Sequence, residues 1–184
     1  MSEALSRDVI QRAPKVLLHD HLDGGLRPAT VLELARESGY RGLPTDDADE
    51  LAAWFVADEP GGDLVRYLEG FRHTVALMQS ADNLTRVAAE CALDLARDGV
   101  VYAEVRFAPE LHTHEGLALD EAVRAVLAGF AQGTAAAALE GRVIVVRAIL
   151  SAMRQADLSE TIARAVTIGD DPVAASPLLL ARVG

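Results

Sequence analysis

Two histidines one residue apart, His19 and His21, followed by Asp23 and the pair Gly24-Gly25, are the residues of this chain best suited to chemistry. They follow an apolar run, Val16-Leu17-Leu18, that predicts a short buried strand. Side chains on a strand alternate with period two, so His19, His21 and Asp23 are expected to project from one face. Imidazole nitrogens held side by side suit a borderline metal such as zinc. The two glycines let the backbone turn sharply and leave room for a ligand to approach. A His-x-His pair alone is common by chance. The strand before it and the Asp-Gly-Gly exit after it give this one its weight, because a (β/α) barrel keeps its chemistry at the C-terminal ends of its strands.

A scaffold for such a corner is legible in the patterning. A short helix over residues 3–12 leads to the strand at 16–21. Pro28 sits at the first turn of a helix continued by Val31, Leu32, Leu34 and Ala35 and stopped by Gly39. A weaker helix covers Glu50 to Ala57, and Pro60-Gly61-Gly62 breaks it. Asp63 is suited to cap a helix running to about Gln79, with Leu64, Tyr67, Leu68, Phe71, Val75 and Met78 on one face. His73 falls about half a turn from that face and is expected toward solvent. A further helix, Ala81 to Arg97, ends at Asp98-Gly99.

A strand over Val100–Phe107 should point Val101, Ala103 and Val105 one way, and Tyr102, Glu104 and Arg106 the other. After Pro109, a polar loop carries Glu110, His112, His114 and Glu115. An Ala-rich helix over about 118–139 follows, then an almost continuously apolar strand over 142–150, as expected when both faces are covered. A last helix is expected over 158–167. Strands alternating with helices argue a parallel α/β sheet. A closed barrel needs about 250 residues, so the expected fold is a (β/α) TIM-barrel type, incomplete, with about three barrel strands. Residues 1–168 are read as the N-terminal part of that barrel and 169–184 as a divergent tail.

Composition narrows the partners. The chain has 184 residues, a net charge of −11 and a pI of about 4.8. That balance argues against an electrostatic nucleic-acid binder and against docking on an anionic membrane. The single cysteine, Cys91, excludes an intrachain disulfide. It lies on an apolar stripe with Leu84, Val87, Ala88 and Leu95, which reads as packing. The N-terminus has no signal-peptide core, and no apolar stretch is read as long enough to span a bilayer. A cytoplasmic location is expected.

The segment Pro14-Lys15-Val16-Leu17-Leu18-His19-Asp20-His21-Leu22-Asp23-Gly24 resembles the first-strand signature of adenosine deaminases, P-K-x-E-L-H-x-H-L-D-G, with Leu17 where that family often has Glu. The block from Asp98 to Pro109 resembles the family's second strand, and Asp63 to Gln79 resembles the helix at the mouth of its pocket. The resemblance implies a zinc-dependent amidohydrolase that hydrolytically deaminates adenosine or deoxyadenosine, releasing ammonia. It implies zinc ligands at His19 and His21, and a purine nucleoside site lined by His21 and Asp23, with Asp23 accepting from a ribose hydroxyl. Tyr67, Leu68 and Phe71 match apolar gate positions. The family's third histidine ligand, its H-A-G-E stretch and its paired aspartates have no match in this sequence, and no histidine follows His114. No catalytic residue beyond the metal and substrate contacts is therefore assigned. The expectation is a truncated, frame-shifted or split chain, inactive alone and met by a C-terminal complementing piece or by self-association. Two other readings stay open: a site completed within the chain by His112 and His114, and a non-catalytic, partner-binding remnant.

Overall fold

The computed structural model describes residues 6–56 and 64–151, the first four residues of the second stretch by backbone alone. The expected cap at Asp63, the helix over 158–167 and the tail at 169–184 lie outside the described residues. The order is α1 (Arg7–Arg12), β1 (Lys15–His21), α2 (Pro28–Ser38), α3 (Ala48–Val56), α4 (Leu64–Leu77), α5 (Ala81–Arg97), β2 (Val100–Phe107), α6 (Leu119–Leu139) and β3 (Val145–Leu150). Short 3-10 turns follow β1 (Leu22–Gly24) and β2 (Pro109–His112).

The three strands form one parallel sheet in the order β1-β2-β3. Helices α5 and α6 pack beside it, and Ala103, Val105, Phe107 and Ala148 of the sheet are buried with Leu84 and Val126 of the helices. The helix ends form where local chemistry dictates. The Ser80 hydroxyl accepts from Asn83 N–H at the start of α5, and Gly39 closes α2 in the left-handed region. Arg27 forks onto Asp94 with both hydrogen bonds at 2.6 Å, and Thr30 donates to Glu90 at 2.6 Å, which fixes α2 against α5.

Several sequence expectations change. β3 begins at Val145, not at 142. One face of the sheet lies open among the described residues: Val16 and Leu18 are each 60 % exposed, so the run before the histidines is not a fully buried strand. Val101 is also exposed, because two steps along β2 (Val100 to Tyr102) match one step along β1 (Lys15 to Val16) and Val101 is the extra residue. His73 is only 3 % exposed. The Tyr40 hydroxyl lies 2.7 Å from its Nδ1 and the Trp54 ring stands edge-on at 5.5 Å, so α2, its following loop and α3 cover the flank that was expected to face solvent. By length and composition α6 is apolar enough to cross a membrane, contrary to the sequence reading; in the fold its face of small residues is buried against α5.

The turn into β2 is tight. Gly99 has φ +87°, and a Cβ there would stand 2.4 Å from the Gln11 carbonyl oxygen. Lys15 N–H donates to the Gly99 carbonyl at 3.0 Å, so the same turn starts the β1–β2 ladder. Gly99→Ala is expected to cost about 2 kcal/mol, from the left-handed backbone and the backbone clash together. Urea unfolding monitored by circular dichroism measures it; an unchanged midpoint contradicts the account.

Candidate metal and nucleoside site

The site forms at the C-terminal end of β1, and an irregularity in the strand creates it. From Leu17 to Asp20 β1 advances three residues, while their partners Ala103 and Val105 are two apart. Leu17 shares the helix-packed face with Ala103. An unbroken alternation from Leu17 would carry His19 and His21 to that same packed side. The extra residue shifts the phase, and His21 instead pairs with Arg106 on the open face. The break in phase falls ahead of the pair, so His19 and His21 share one face as their spacing predicts. Asp23 is not on the strand at all but in the 3-10 turn that follows it.

His19 Nε2 and His21 Nε2 stand 3.3 Å apart. Two nitrogens each about 2.0–2.1 Å from one tetrahedral zinc ion are separated by ~3.3–3.4 Å, so the pair has the spacing of two ligands to a single ion. The donor set fits zinc as far as it goes: two imidazole donors. Burial, with the Arg106 and His19 charges, pulls the His21 pKa below its usual value against the opposing pull of Asp23 and Asp20, which keeps the ring neutral at pH 7. Asp20 Oδ1 accepts from the His21 backbone N–H at 2.9 Å and pins the turn.

Around the pair, the Phe71 ring of α4 stands edge-on to the His21 ring with centroids 6.0 Å apart, and a Cβ on Gly24 would meet the Phe71 ring at 3.2 Å. Gly24 thus lets α4 close over the corner. Leu68 is 53 % exposed, and the Tyr67 side chain lies outside the described residues. Asp23 is buried, and its Oδ1 has no hydrogen-bond partner, the nearest imidazole nitrogen being His21 Nδ1 at 3.9 Å. Burial raises its pKa. A buried acceptor without a donor is costly and marks a place for a ligand hydroxyl or water.

His112 does not join this group. It is fully buried beside the Phe107 ring, with Nδ1 3.1 Å from the Met78 carbonyl, while His114 is exposed. Among the described residues no cluster of three or more metal-binding side chains exists, which removes the reading that completed the site with His112 and His114. Cys91 packs against the core, and burial pushes its thiol up to about 12, as its place on the apolar stripe implied. From sequence, Arg106 reads as either an ion-pair partner of Glu104 inside a barrel or a solvated side chain; the structure gives it other partners. Its Nη1 lies 3.3 Å from His19 Nε2, and its Nε and Nη2 donate to Ser151 Oγ at 3.1 and 2.9 Å. Its place two residues after Glu104 gave no hint of this, since strand phase at β1 decides which residues it meets.

A parallel sheet carrying a histidine pair at a strand's C-terminal end is the arrangement of a (β/α)-barrel amidohydrolase, here with three of the barrel strands among the described residues. An amidohydrolase from Burkhoderia ambifaria, solved with bound Zn, superposes with a TM-score of 0.71 at 28% identity over 91% of this chain and 43% of its own. The Arabidopsis N6-mAMP deaminase gives 0.67 at 29% identity, over 88% and 47%. The adenosine deaminase family profile matches residues 14–178, and the chain belongs to that family. Adenosine deaminases of Mycolicibacterium vanbaalenii and Mycobacterium avium are 62% and 58% identical to it over 163 residues. Those residues are 89% of this chain and 45% and 44% of the two relatives, so the chain spans a little under half their length.

Proposed function

We propose that this chain supplies the first-strand corner of a zinc-dependent site that hydrolyses adenosine or deoxyadenosine to the inosine product and ammonia. The observation that carries this is the 3.3 Å separation of His19 Nε2 and His21 Nε2 at the end of β1 in a chain of this family. In this reading both imidazoles hold the metal, which supplies Lewis acidity that makes water nucleophilic near neutral pH. His21 and Asp23 line the nucleoside site. The partnerless Asp23 Oδ1 accepts from a ribose hydroxyl, which relieves a buried acceptor. Phe71 excludes water from the corner by lying against His21.

Catalytic zinc usually takes three protein ligands, and these residues offer two. We therefore read the 184-residue chain as inactive by itself, its site finished by a complementing C-terminal piece, and place it in the cytoplasm with its one free thiol. A non-catalytic, self-associating role is the second reading, favoured by the exposure of Val16 and Leu18 on the open sheet face.

Zinc affinity measured against a chromophoric chelator tests the first reading. The wild-type chain should bind one zinc, and the double variant His19→Ala, His21→Ala at least tenfold more weakly. Equal affinities overturn the metal assignment. Ammonia release from adenosine by the chain alone overturns the assignment of incompleteness.

A further inference from the structure

The Arg106 guanidinium uses three of its donors in a fixed fork. Nε and Nη2 both donate to Ser151 Oγ, at 3.1 and 2.9 Å, and Nη1 reaches His19 Nε2 at 3.3 Å. Ser151 is itself held, its N–H donating to the Phe107 carbonyl at 2.9 Å. The anchor therefore belongs to the β2–β3 end of the sheet, and it delivers a permanent positive charge to an imidazole of β1. A neutral imidazole has one nitrogen lone pair to give. An arginine N–H and a metal ion cannot both take it.

We propose that Arg106 competes with zinc for the His19 Nε2 lone pair, so that it acts as a built-in occupant of the metal position that must draw back before the ion is held. The proposal rests on the zinc reading for the identity of the ion. It goes beyond that reading in giving the chain's own second strand control over metal loading. Two effects act in the same direction. Nη1 takes the lone pair directly, and a guanidinium a few ångströms from a divalent cation repels it. The guanidinium is planar and rigid, so Nη1 draws back only as the whole group pivots on its Ser151 contacts, which leaves loading possible but weaker.

Arg106→Gln removes the charge and keeps an amide able to reach Ser151. Its zinc affinity, measured against a chromophoric chelator, should exceed the wild type's by on the order of tenfold. An affinity equal to or below the wild type's, in a variant with an unchanged circular dichroism spectrum, overturns the proposal while leaving the zinc reading intact. Equal zinc affinity in the wild type and in His19→Ala, His21→Ala brings down the zinc reading and this proposal with it. A second measurement needs only the wild type: the Arg106 Nε–H signal, followed by NMR, should shift in step with zinc added up to one equivalent. A signal that stays in place as zinc binds overturns the proposal, whether or not the Gln variant folds.

Discussion

Gly133→Ala is expected to destabilise the chain by about 3 kcal/mol, even though alanine favours a helix over glycine by ~1 kcal/mol. A Cβ at this position would stand 2.2 Å from the Ala89 carbonyl oxygen and 2.8 Å from the Ala92 Cβ. One turn earlier, Gly129 meets the Thr85 carbonyl oxygen at 2.3 Å and the Ala88 Cβ at 2.6 Å. Both obstacles include backbone of α5, which cannot rotate aside like the tip of a long side chain, so the two helices must part. Their separation unseats Val126 and Phe130, which α6 presses into the core. The Thr85 hydroxyl, which donates to the Ala125 carbonyl at 3.1 Å across the same contact, is lost as well. Chemical denaturation of Gly129→Ala and Gly133→Ala should give lower midpoints for both. A stabilised variant would show that the helices do not approach this closely.

Acid should weaken the fold through His112. Its ring is fully buried, Nδ1 lies 3.1 Å from the Met78 carbonyl, and Nε2 is buried without a hydrogen-bond partner. Burial lowers its pKa to about 4, against the smaller opposing effect of the Met78 contact. The unfolded chain takes up a proton near pH 6.5, while the folded chain resists until about 4. The stabilising effect of the neutral ring is therefore complete above pH ~6.5 and lost as the pH falls toward 4, by about 3 kcal/mol in all. His21 and His73 are also lowered by burial and act in the same sense. The difference between wild type and His112→Gln isolates the one ring. Urea midpoints across pH 4 to 7 should fall more steeply in the wild type, and parallel curves would remove His112 from the account.

The residues that bear chemistry were visible before the fold was. His19, His21 and Asp23 stood out by type and spacing, and the helices from Pro28 and Ala81 were marked by their caps and apolar stripes. The path by which the histidines reach the open face was hidden. Val16, Leu17 and Leu18 are all apolar, so no alternation shows where the strand changes phase, and only pairing with Ala103 and Val105 reveals it. The burial of His73 and His112 is hidden from the sequence for a related reason. Their burial is decided by Tyr40, Trp54, Met78 and Phe107, partners between five and 34 positions away in sequence. Arg106 belongs to the same class, since its contacts with His19 and Ser151 exist only once three strands lie side by side.

The extra residue between Leu17 and Asp20 lets one strand hold Leu17 on the packed face and two imidazoles on the open face. Leu18, at 60 % exposure, touches little and can change in size or polarity at small cost. Removing it would leave Leu17 and Asp20 two residues apart, like Ala103 and Val105, and both imidazoles would stay on the open face beside Arg106. At this corner the chain carries a spare residue: a single-codon deletion of Leu18 should retain metal binding, whereas deletion of Asp20, between the two imidazoles, should turn them to opposite faces and abolish it.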